Sequence, residues 1–190
     1  MKRIITGLWI GAAVGAVLMS NANATQVLYR TPRELGSESP LVVRGEVVEV
    51  RSYWNEKRTK VFTTARVAVG ETYKGSGAST LDVIQLGGVV DNVKVTVHGA
   101  LSWREGEEVV LFLESFDGPS APAGAFQVSG FSQGKFNIER DPRTGKAFVS
   151  RPEASGVELV GASSPGSPEP SSRIESVPIE QFIDEALGRR

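Results

Sequence analysis

Five apolar residues in a row, Val109, Val110, Leu111, Phe112 and Leu113, sit between the acidic ends of segment 105–114. A strand with one wet face alternates, whereas an unbroken apolar run this short suits a strand covered on both sides. The β-branched valines and Phe112 favour strand over buried helix, and Gly106 supplies a turn just before them. The run is the expected central strand of a small all-β domain.

The segments around it carry strand patterns of their own. Leu41–Trp54 reads as a long strand whose alternation changes phase: Val43, Gly45 and Val47 share one face, Val48 and Val50 the other. A bulge between Gly45 and Val48 repairs the phase and bends the strand across two sheets. A polar turn at Asn55, Glu56, Lys57 and Arg58 leads into 60–74, where Val61, Thr63, Ala65, Val67 and Val69 line one face. A hairpin this long needs strong coiling. Segment 81–86 reads as a short strand closed by Gly87 and Gly88. Segment 89–97 is expected to follow as one further strand, with Val93, Val95 and Val97 inward and Lys94, Thr96 and His98 outward.

Residues 100–108 form a polar approach to the central strand, with Trp103 as a half-buried cover on the rim. Glycine and proline make 115–125 an exposed loop; 126–130 reads as a strand, and 130–136 as a tight corner in preference to a rim that contacts a ligand. Segment 135–150 is expected to be a hairpin with Phe136 and Ile138 inward. Its turn runs from Asp141 through Pro142 to Gly145.

Helical patterns occur only near the ends. Thr31 as N-cap, Pro32 at the first helical position and Glu34 at the third start a helix of one or two turns, which Gly36 is expected to stop. Ile179, Phe182, Ile183 and Leu187 form an apolar stripe within 174–190, ended by Gly188, with Arg189 and Arg190 at the negative pole. That helix is expected to dock on the chain's own barrel. Between it and the β domain (25–152), segment 153–173 is small, polar and proline-rich, as a flexible linker is. The expected fold is all-β: a small Greek-key, OB-like barrel of about five to seven strands with a short amino-terminal helical turn and a carboxy-terminal helix.

The first residues bear on location. Lys2 and Arg3 precede an almost wholly apolar stretch, and Ala22, Asn23 and Ala24 follow it. This is the pattern of a signal peptide (1–24) cleaved after Ala24, so a periplasmic or extracellular protein is expected. Without Lys2 and Arg3, 19 basic groups face 22 acidic ones, a net of −3. That balance argues against nucleic-acid partners and against anionic membrane surfaces after cleavage.

The chain has no cysteine, which removes thiol catalysis, redox exchange and thiolate-ligated zinc. His98 is its single histidine, too few for a catalytic triad or an HExxH zinc site. Gly87 and Gly88 lack the context of a phosphate loop. No DxDxDG calcium loop is present. Neither cofactor nor metal is expected. The candidate ligand contacts are the rim residues Asn55, Asp91, Asn92, Trp103, Arg104 and Glu105.

The strings VVRGEVVEV (42–50), VAVGETYKG (67–75) and GEEVVLFLE (106–114) resemble uncharacterised exported bacterial β-barrel proteins. More distantly they resemble the netrin-like barrel, the OB-type fold of the tissue inhibitors of metalloproteinases. The resemblance implies a non-enzymatic, extracytoplasmic binding module whose partner is a secreted or periplasmic protein such as a peptidase. The cysteine by which those inhibitors bind their target's zinc is absent here, so that mechanism does not carry over. Two alternatives stand beside this reading. One is a hydrolase using Asp or Glu, which needs two carboxylates facing each other in a pocket. The other is a structural role in envelope or surface assembly, with the 174–190 helix as the joint.

Overall fold

The computed structural model describes residues 25–117, 124–152, 157–160 and 177–189. The expected signal peptide and most of the expected linker lie outside them. In chain order the elements begin with β1 (Thr25–Leu28), α1 (Pro32–Glu38), β2 (Leu41–Trp54), β3 (Val61–Lys74), β4 (Thr80–Leu86), β5 (Gly88–Val90) and β6 (Val93–Val95). Then come β7 (Glu108–Ser115), β8 (Phe126–Val128), β9 (Lys135–Arg140), β10 (Ala147–Ser150), β11 (Val157–Val160), β12 (Val177–Pro178) and α2 (Ile179–Ala186).

Strand β7 is central, as its apolar run requires. One edge pairs with β2 from Glu108 to Leu113. The other edge is shared: β9 takes Val109 to Leu111, and β8 takes Leu113 to Ser115. The main sheet runs β12-β10-β9-β7-β2-β3-β4-β8, and the return of β8 to β7 makes a partly closed ring of β7, β2, β3, β4 and β8. A partly open five-stranded ring is the OB-type barrel the sequence led us to expect.

All five residues of the apolar run have 0% exposure, and they divide by parity. Val109, Leu111 and Leu113 point into the barrel with Val43, Val47, Ala65, Val67 and Val83. Val110 and Phe112 point the other way, into a second core with Leu35, Phe136, Phe182 and Ile183.

The phase change in β2 is a bulge. The β2–β3 register shifts between Val47 and Glu49, which leaves Val48 exposed and returns Val50 to the barrel core. At α1 the Thr31–Glu34 capping box forms as expected. Its last carbonyls are met from another strand, where Lys74 Nζ donates to Gly36 O (2.7 Å) and Ser37 O (3.0 Å). The α2 stripe docks on the second core, with Ile179, Phe182, Ile183 and Ala186 all buried.

Three expectations need correction. Gly36 does not stop α1 but lies inside it, where a Cβ would meet Ala186 O of α2 at 1.9 Å. Glycine is there to let two helices touch. Segment 89–97 is not one strand but the hairpin of β5 and β6, because Asp91 and Asn92 both take positive φ (49° and 61°) and reverse the chain. Val93 is consequently exposed rather than inward. Finally, β11 falls within the stretch expected to be linker and pairs in parallel with β1.

Candidate binding groove at the open seam of the barrel

The ring is weakest where β8 meets β4. A single residue pair, Val83↔Phe126, joins them before they part. Segment 97–103 crosses the opening. It is held by Gln85, whose Nε2 donates to Leu101 O (2.8 Å) and whose Oε1 accepts from Leu101 N (3.0 Å). One amide side chain thus pairs with both backbone groups of a loop residue, as a neighbouring strand would.

Beneath that segment lies a cavity of about 300 Å³, with walls that include Val83, Leu86, Val97, Leu101, Trp103 and Phe116. Phe131 stands at its edge, 48% exposed and with φ at 70°. A left-handed conformation is strained for a bulky residue, so the surrounding corner must hold it there. The ring packs against Gly99, where a Cβ would meet Phe131 Cε1 at 2.0 Å. The polar groups of the groove are Gln85, Gln127 and Glu114, and Gln127 Nε2 donates to Glu114 Oε1 at 2.8 Å.

The corner that presents Phe131 fastens two further segments. Gln133 Oε1 accepts from Arg30 N (2.7 Å), and its Nε2 donates to Leu28 O (2.8 Å), tying down the start of the described chain. Lys135, 1% exposed, donates from Nζ to Ser102 O (2.7 Å) and Glu107 Oε1 (2.6 Å). The ammonium also lies 4.6 Å from the Trp103 ring centre. Burial pushes the Lys135 pKa below its ordinary value, while Glu107 pulls it up. This buried pair anchors the loop that carries Trp103 along the groove.

The rim residues expected from sequence fall into two groups. Asn55 is a turn device: its Oδ1 accepts from Thr59 N (2.7 Å) and Lys60 N (3.0 Å). Asp91 reaches that same end, accepting from Trp54 Nε1 (3.1 Å) and Arg58 Nη2 (3.0 Å). Asn92 completes the β5–β6 turn. Elsewhere, Trp103 lines the groove and Arg104 is exposed. Glu105 accepts from Val50 N (3.1 Å), beside the β2 bulge. Among the described residues no hydrogen bond or ion pair joins the two groups, and only Trp103 belongs to the groove.

Sequence reasoning missed Gln85, Glu114 and Gln127, and it read the stretch that holds Phe131 as a corner rather than a rim that contacts a ligand. The glycines flanking Phe131 marked a corner but not its exposed ring. The Glu114–Gln127 pair depends on a register no local pattern shows. Among the described residues no three His, Cys, Asp or Glu side chains converge to hold a metal ion. In comparisons with known proteins, no family model matches the chain and no curated protein matches it.

Proposed function

We propose that the protein is an exported, non-enzymatic recognition module that takes a protein partner, such as a secreted or periplasmic peptidase, at the open seam of its barrel. One observation carries this reading: a half-exposed Phe131, held in a strained backbone conformation, at the edge of an apolar groove. Strain and exposed aromatic surface both cost stability, and their coincidence at a cavity supports reading this as a site of contact. The same end of the chain's surface adds Leu86 on the groove wall, and Val89 and Val93 on the adjoining hairpin, all exposed.

The alternatives draw less support. The acidic side chains at the start of the central strand are engaged by bases: Glu107 by Lys135, and Glu108 by Arg44 and Arg140. Asp82 and Asp91 are held by Arg66 and Arg58. A hydrolase needs two carboxylates facing a substrate instead. An assembly joint at α2 needs a free apolar stripe, and that stripe is spent on the chain's own core.

A photo-cross-linking residue placed at Phe131, in the protein exported by its own cell, tests the proposal. A discrete adduct with another protein is expected there, and none from the same probe at exposed Val48. Failure of residue 131 to cross-link, or equal labelling at both positions, refutes it.

A further inference from the structure

The groove's charge and the edge that borders it indicate what enters. Glu114 is the single ionisable side chain in its lining, among apolar and amide groups. Gln127 donates to one carboxylate oxygen, and no ion pair among the described residues includes Glu114. Nor does the sequence from 115 to 126 hold a lysine or arginine that could reach it. Glu114 and Phe116 also line an adjoining hollow of about 530 Å³, and the further acid there is Asp117. The site therefore carries net negative charge beside the aromatic walls of Trp103, Phe116 and Phe131. A half-buried carboxylate among aromatic rings suits a cation on an apolar stem, because the rings cover the stem and attract the charge.

The edge of β4 supplies the second observation. Gly87 N donates to Val61 O, which makes 61 and 87 a hydrogen-bonded pair of the β3–β4 ladder. Alternation then makes Phe62↔Leu86 a non-hydrogen-bonded pair, so Leu86 turns its N–H and C=O away from β3. That side faces the seam, beyond the last β8 pairing at Val83. An extended segment laid along it can bond to Leu86 as an added strand.

We infer that the groove receives an extended apolar segment of the partner protein, added along β4 at Leu86, with a lysine or arginine side chain seated on Glu114. This inference rests on the recognition reading above and adds the chemistry of what is recognised.

The test titrates the whole mature protein with short capped peptides of one apolar sequence, bearing lysine, arginine, norleucine or glutamate at a single position. Binding is followed by NMR at the Trp103 indole and the Phe131 amide. The lysine and arginine peptides are expected to bind about tenfold more tightly than the norleucine peptide. Glu114→Gln removes that preference while keeping the norleucine affinity, and Glu139→Gln on exposed β9 leaves the preference intact. Equal binding of all four peptides overturns the inference, as does a preference that survives Glu114→Gln. Either result leaves the recognition reading standing provided Phe131 still cross-links. If no peptide shifts either signal, the inference fails, and if cross-linking fails too, both readings fall.

Discussion

The two faces of β7 are built from different materials. Inside the barrel its neighbours are aliphatic, chiefly valines of β2, β3 and β4, with aromatic rings only at the margin. On the outer face Phe112 meets Phe136 and Phe182 edge-on, with centroids 5.6 and 6.1 Å apart, and two helices cover the cluster. Large rings under helices fill space fully, and the chain contributes its own lid. Small β-branched residues in a ring of strands leave a gap wherever one strand is too short. The three-residue β8 is that strand. Amide, carboxylate and buried ammonium groups cluster around the gap, whereas the described part of the aromatic side closes on itself. The difference separates a side that holds the fold together from the side at which we propose that a partner binds.

The sharpest way to break the comparison is at the shared strand. Phe112→Ala should cost about 3–5 kcal/mol, since it opens a cavity between two other rings in a site with no exposure. Chemical denaturation should show the loss. Hydrogen exchange should show α2 released while β2 and β3 stay protected. Equal deprotection of barrel and helix would mean the two cores are not separable.

Next in size is the polar anchor of the barrel side. Glu107→Gln strips the partner from an ammonium with 1% exposure and should cost about 3 kcal/mol. Lys135→Met in that background should recover much of it, because the charge then needs no partner. Thermal melts of the two variants decide this.

A smaller effect ties three neighbouring strands together at the start of β7, where Glu108 accepts from Arg44 of β2 and Arg140 of β9. Burial would raise its pKa, but the hydrogen bonds of the two guanidinium groups outweigh it and hold the carboxyl below 4.5. The folded state then binds fewer protons than the unfolded one just beneath that value. The contribution is therefore fully present above 4.5 and is lost as pH falls through the lowered pKa. Acid titration of stability in Glu108→Gln should show a shallower decline than the parent.

The smallest change in stability is expected at Phe131. Glycine relieves the positive φ and loses little packing, so Phe131→Gly should stay within about 1 kcal/mol of the parent. Its peptide binding should nevertheless fall sharply. A large loss of stability would place Phe131 with the scaffold instead.

Some features were legible because they are local. The capping box at Thr31, the turn at Asp141 and the bulge implied by Val47 and Val48 each follow from a few adjacent residues. Others misled because a local signal had a distant cause. Gly36 looks like a helix stop, yet it is small because Ala186, far along the chain, presses on it. Asp91 and Asn92 did carry a turn signal, and the surrounding valines masked it. The groove was the least readable feature, since its walls come from four separate stretches of chain that pattern analysis assigns independently.

Sequence alone determined that this chain is β-rich, thiol-free and centred on Val109 to Leu113, because apolar periodicity and turn chemistry act within one or two strands' length. Only tertiary structure decided that β8 ends early, that Gln85 clamps Leu101 and that Glu114 has no ion-pair partner among the described residues. Those outcomes depend on which strand edges meet and in what register. That is a property of the closed ring rather than of any single segment.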